Sequence, residues 1–87
     1  MPWVQAMNAL HRRDWQLALT IADAARAVAL KYGSALLAAE CAGISAHALK
    51  ALGRLEDAAE RRNEAEAGFR RLGAAALLER LQQDLEG

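Results

Sequence analysis

Apolar and polar positions along the chain follow the period of an α-helix, and glycines divide the pattern into segments. Gly33, Gly53 and Gly73 stand twenty residues apart, and each follows a helical stretch that ends in Leu or Tyr. Glycine just past a helix end takes up the left-handed backbone conformation without steric penalty, so all three are predicted to be helix C-caps. Counting back twenty residues from Gly33 reaches Arg13-Asp14, where Asp14 suits a helix N-cap. The pattern predicts five helices, over residues 3–12, 14–32, 34–52, 55–72 and 74–86.

The width of the polar face differs between these helices and indicates where each one lies. The second helix has two apolar faces and a narrow polar stripe, so we expect it to be buried on nearly all sides. The third carries only two charged residues, Glu40 and Lys50, which is typical of a central helix. The fourth is rich in charge and is predicted to lie at the surface. Leucines at amphipathic spacing in the fifth predict a terminal capping helix.

Composition restricts the fold class to all-α. The 87 residues include 22 Ala and 14 Leu, both good helix formers. Only five residues are Val, Ile or Thr, which is too few for even a modest sheet. The short links between the predicted helices favour antiparallel neighbours. The sequence therefore predicts one all-α domain over residues 1–87, built from antiparallel helical hairpins.

The charge balance and the lack of a signal-like or membrane-spanning pattern argue against nucleic acid and membranes as partners. Eleven basic and eleven acidic residues leave no net charge to attract nucleic acid or an anionic membrane surface. The first residues lack the pattern of a secretory signal, and no stretch is long and apolar enough to span a membrane. We therefore expect a cytoplasmic protein that binds neither nucleic acid nor membrane.

Candidate catalytic and metal-binding residues are sparse. His11 and His47 are the only histidines, and no pattern of nucleophile and base accompanies them. Glu40 and His47 are seven positions apart, roughly 10 Å along a helix, too far to share a metal ion without further ligands. Cys41 lies in an alanine-rich run and is predicted to be a small core residue. The sequence predicts no enzyme activity, no cofactor and no metal site.

Two segments at predicted turns resemble the tetratricopeptide repeat family. Residues 49–60 (LKALGRLEDAAE) are similar to the turn between the two helices of that repeat, with Ala58 and Ala65 as its small residues one heptad apart. Residues 11–18 resemble the same turn one hairpin earlier. The forty-residue period is similar to that of the longer helical repeats in the sensor regions of large bacterial transcriptional regulators. The resemblance implies two hairpins and a C-terminal capping helix.

The resemblance also implies a binding surface for a peptide or a partner helix. In tetratricopeptide-like arrays the first helices of successive hairpins line a groove, which here means the first, third and fifth helices. The positions that map to it are Trp3, Met7, Leu10, His11, Glu40, Gly43, His47, Lys50, Arg80 and Gln83. Lys50, Arg80 and His47 suit a carboxylate. Trp3 and Met7 offer an adaptable apolar end. A helix with one solvent-exposed edge would show the same polar stripe without binding anything.

The second interpretation is a helical dimerisation or regulatory module of a transcription or signalling protein. Five short helices cannot readily hide the broad apolar faces of the second and third, so a homodimer or a neighbouring domain would cover them. Residues 3–10 and 77–85 provide the candidate faces. In both interpretations the partner is a protein.

Overall fold

The computed structural model describes residues 2–73 and Gln83, and every element in this part of the chain is an α-helix. The helices are α1 (Pro2–His11), α2 (Trp15–Lys31), α3 (Ala35–Ala51) and α4 (Leu55–Arg71). Each begins and ends within one residue of the limits predicted for the first four helices. The fifth predicted helix lies outside the described residues except for Gln83, which is helical and exposed. The all-α fold class is confirmed.

The ends of the helices repeat every twenty residues. Gly33, Gly53 and Gly73 have φ angles of 76°, 81° and 70°, which confirms the predicted left-handed caps. At the end of α2, the N–H of Ser34 donates to the carbonyl of Ala29 across the turn (2.8 Å), as in a Schellman motif. The corresponding bond closes the end of α3 (2.9 Å). This spacing makes α2, α3 and α4 equal in length, at 17 residues each.

In the first turn, a residue other than glycine occupies the position that a capping glycine occupies in the later turns. Arg13, twenty residues before Gly33, has a φ of 60°. The N–H of Asp14 donates to the carbonyl of Ala9 (2.9 Å), which is the same hydrogen bond that closes the later helices. Asp14 Oδ1 then accepts from the N–H of Leu17 (3.4 Å), so the predicted N-cap is confirmed. The twenty-residue repeat therefore includes the first turn, although no glycine marks it.

The central helix is α3, which contacts α1, α2 and α4, as its scarcity of charge predicts. Its buried side chains are mostly alanine, and they join three core clusters that reach each of the other helices. Small residues allow a close approach on the α4 side, where a Cβ added to Gly68 would lie 2.8 Å from the Cβ of Ala39. Phe69 of α4 packs into the same alanine-lined region. The alanines thus set the helix spacing rather than fill a thick core.

One face of α2 is more exposed than the sequence predicts. The core-facing alanines of this helix are buried, but Leu17 is 39% exposed, Val28 is 55% exposed, and Ala24 between them is also exposed. The prediction that α2 is buried on nearly all sides is wrong. Helices α1 and α3 pack on the side of α2 that carries the buried alanines, and α4 contacts α2 through ion pairs. Leu17, Ala24 and Val28 are left facing solvent.

Candidate interaction face

Only one side of α3 remains accessible along the helix. Its exposed or partly exposed residues from the second position onward are Leu36, Leu37, Glu40, Gly43, His47, Lys50 and Ala51. At 100° per residue, five of these fall on a single line along the helix, which we call the α3 stripe: Leu36, Glu40, Gly43, His47 and Lys50. The sequence-predicted residues Glu40, Gly43, His47 and Lys50 therefore share one side of one helix.

The opposite side of α3 is closed by a polar cluster that links α2 to α4. Ser45 is fully buried and donates a hydrogen bond to Asp23 Oδ1 (2.7 Å) of α2. Arg26 of α2 donates two hydrogen bonds to the carboxylate of Glu64 on α4. This pairing raises the pKa of Arg26 and lowers the pKa of Glu64. Arg61 Nε adds an ion pair with Asp23 Oδ1 (3.9 Å). Asp23 of α2 therefore links the buried hydroxyl of α3 to α4.

Burial affects the titratable groups in the middle of α3. Glu40 is partly buried on the stripe, and the loss of hydration raises the pKa of its carboxyl above the usual value. The neighbouring Cys41 is fully buried, as predicted from its alanine-rich surroundings. Burial, with a smaller contribution from the charge of Glu40, raises the pKa of the Cys41 thiol to about 11. At neutral pH this thiol is protonated, which suits a core residue and not a nucleophile.

His47 forms an aromatic surface with a residue of α2. Its ring stacks on the indole of Trp15, with centroids 5.8 Å apart and planes 19° apart. Trp15 is partly buried and packs against the core cluster that joins α1, α2, α3 and α4. Trp15 is not among the residues that the sequence predicts to bind a partner. The stack joins residues 32 positions apart, so no local pattern indicates it.

A shallow pocket lies beside the C-terminal end of the α3 stripe. It has a volume of about 170 Å³ and is lined by Lys50 of α3 and by Leu55, Ala58, Ala59 and Arg62 of α4. Sites for drug-sized molecules are usually about 300–1,000 Å³, so this pocket fits one side chain. Leu55 is 65% exposed, and Arg62 Nε donates to Glu66 Oε1 (2.9 Å). The pocket combines apolar surface with two cationic side chains.

Of the other residues predicted to bind a partner, the structure describes the surroundings of Met7, His11 and Gln83. Met7 is partly buried and packs with Leu10 against the core between α1, α2 and α3. His11 is exposed at the end of α1, and Gln83 is exposed in a separate part of the sequence. Arg80 and the side chain of Trp3 lie outside what the structure describes.

Among the described residues, no group of three or more His, Cys, Asp or Glu side chains is arranged to hold a metal ion. None of the four helices is long and apolar enough to cross a membrane. In comparisons with known proteins, no family model, curated protein or solved structure matches the chain. The resemblance to tetratricopeptide repeats therefore stays a prediction from the residues themselves.

Proposed function

We propose that this protein is a protein–protein interaction module with a tetratricopeptide-like arrangement of helices, and that it binds a peptide or a partner helix along the α3 stripe. One observation carries the proposal. A central helix that is mostly buried keeps one accessible side, and this side holds its only two charged side chains, Glu40 and Lys50. The polar cluster around Ser45 occupies the opposite side, so the stripe is not needed to join α2 to α4.

The side chains along the stripe suggest the chemistry of the ligand. At one end, Lys50 and the pocket beside it suit a carboxylate attached to an aliphatic group, because cationic and apolar surfaces adjoin there. Next along the stripe, the stacked rings of His47 and Trp15 offer a flat surface for an apolar side chain. Glu40 offers an acceptor for a donor on the ligand. An acidic and apolar peptide segment of a protein partner fits this order.

A peptide selection tests the proposal directly. The purified chain is panned against a displayed library of random peptides, and the selected peptides are synthesised and titrated by calorimetry. We expect enrichment of peptides that carry Asp or Glu next to an apolar residue. A Lys50→Glu variant should lose at least about tenfold in affinity, which corresponds to about 1.4 kcal/mol.

The control is Lys31→Glu, which makes the same change of charge at an exposed lysine at the end of α2. It should bind the selected peptides as the unmodified chain does. Equal affinity of the Lys50→Glu and Lys31→Glu variants, or a failure to enrich any peptide, would contradict the proposal.

A further inference from the structure

The residues of the α3 stripe are arranged symmetrically about one point of the helix. Glu40 and Lys50 lie at equal distances before and after position 45, and so do Gly43 and His47. When two copies of α3 are placed antiparallel about a two-fold axis at position 45, Glu40 of one copy faces Lys50 of the second. Gly43 then faces His47. In a two-fold symmetric contact each of these pairs occurs twice, once on each side of the axis.

The charges at these paired positions have opposite sign. Glu40 is partly buried, and the loss of hydration raises the pKa of its carboxyl. None of the ion pairs within residues 2–73 involves Glu40. An antiparallel second copy supplies a counter-charge, because its exposed Lys50 comes to this position. A parallel second copy would instead bring Glu40 against Glu40 and Lys50 against Lys50.

The sizes of the paired residues near the axis also match. The ring of His47 stacks on Trp15, so this part of the stripe is bulky. Gly43 has no side chain, so the backbone of the second copy approaches closely at this residue and covers the stacked rings. A large side chain opposite His47 would hold the two helices apart.

The two ends of the stripe match as well. Leu36 lies one turn before Glu40 and is 45% exposed. In the antiparallel arrangement Leu36 faces position 54 of the second copy, next to Leu55 and the pocket of about 170 Å³. This pocket fits one side chain, and its leucine and alanine lining suits Leu36. Leu36 and Glu40 together form the kind of acidic and apolar segment that the pocket and Lys50 favour.

We propose that the partner helix of the α3 stripe is α3 of a second copy, packed antiparallel about a two-fold axis at position 45. This inference rests on the proposed function, because it uses the α3 stripe as the binding surface and names its partner. Ion pairs near the surface contribute little each, and the contact is one helix wide. The dimer is therefore weak and exchanges with monomer as the concentration changes. A peptide that binds the stripe competes with dimer formation.

Reversal of the two charges tests the dimer in sedimentation velocity, measured from about 10 µM to about 1 mM, the range in which a weak dimer dissociates. Glu40→Lys places lysines opposite each other, and Lys50→Glu places glutamates opposite each other. Each single variant should therefore dimerise at least about tenfold more weakly than the unmodified chain, with unchanged circular dichroism. The chain with both substitutions restores opposite charges and should dimerise again. An equimolar mixture of the two single variants should form a heterodimer for the same reason.

The control is again Lys31→Glu, which reverses an exposed charge outside the stripe and should dimerise as the unmodified chain does. A monomeric unmodified chain at about 1 mM overturns the proposal, as does a mixture of the single variants that associates no better than each variant alone. The proposed function fails in a different measurement. Selected peptides that bind a monomeric chain, and bind its Lys50→Glu variant more weakly, would overturn the dimer alone. Failure of both peptide selection and dimerisation would overturn both proposals.

Discussion

Glycine at position 13 is expected to stabilise the fold relative to an L-amino acid there. Arg13 has a φ of 60° at the position that Gly33, Gly53 and Gly73 occupy in the later turns. The left-handed conformation brings a Cβ atom close to the following carbonyl oxygen, which costs about 1–2 kcal/mol. The Arg13→Gly substitution removes that cost and keeps the hydrogen bonds of the turn, since they involve only backbone atoms.

Two opposing effects reduce the gain. Glycine has more freedom in the unfolded chain, which offsets about 0.4–1 kcal/mol of the improvement. Removal of the guanidinium also loses a favourable charge at the C-terminal end of α1, worth about 0.3–1 kcal/mol. The second effect cancels when Arg13→Gly is compared with Arg13→Ala, because both variants lack the charge. The Arg13→Gly variant should therefore be more stable than Arg13→Ala by about 0.5–1 kcal/mol.

Urea unfolding followed by circular dichroism measures this difference. In a chain of this size, about 0.5–1 kcal/mol corresponds to about 2–8 °C in melting temperature. Gly53→Ala is the matched reverse substitution, because its added Cβ meets nothing within 4 Å and only the backbone conformation is penalised. It should destabilise by a similar amount. If Arg13→Gly and Arg13→Ala have the same stability while Gly53→Ala is destabilised, the left-handed conformation at position 13 is refuted.

Three further predictions concern the interior. Gly68→Ala should destabilise by about 1 kcal/mol in urea unfolding despite its better helix propensity, because its Cβ would lie 2.8 Å from that of Ala39. Adding Ala39→Gly should recover part of the loss, and strictly additive effects would show that the two residues are not in contact. The hydrogen bond from Arg26 lowers the folded pKa of Glu64, so the pair stabilises the fold above the unfolded carboxyl pKa of about 4.3 and loses its effect as pH falls through the lower folded value. Glu64→Gln should therefore flatten the acid side of the stability profile, and an unchanged profile would contradict the pairing. Cys41 should react with a thiol reagent at neutral pH only as the chain unfolds, because burial raises the pKa of its thiol to about 11. Rapid labelling of the folded chain would show that Cys41 is not buried.

Helix limits could be predicted from the sequence because they depend on local chemistry. A glycine just past a helix end and an aspartate before the next helix act through bonds within a few residues, and both are visible in the chain. Arg13 shows how strong this local signal is, since the twenty-residue spacing locates the turn even where the glycine is absent. The burial of α2 could not be predicted in the same way. An apolar face indicates that a helix can be covered and does not indicate whether a neighbour covers it.

The candidate site also combines features that the sequence could predict with features that it could not. The line formed by Glu40, His47 and Lys50 depends on spacing within one helix, so the sequence could predict that they share a side. The stack of Trp15 on His47 depends on how α2 crosses α3, and the pocket at Lys50 depends on where α4 begins. These contacts join residues that are far apart in the chain. No periodic pattern encodes them.

The buried hydroxyl of Ser45 has a consequence for how uniquely α3 is placed. An interface lined with alanine is nearly the same at every turn, so sliding α3 by one turn, about 5.4 Å, would replace one set of methyl contacts with another. Such a slide would separate Ser45 from Asp23 and leave a polar group buried without a partner, at a cost of about 1–3 kcal/mol. A single hydrogen bond thus selects one position of the central helix from several that hydrophobic packing alone would hardly distinguish.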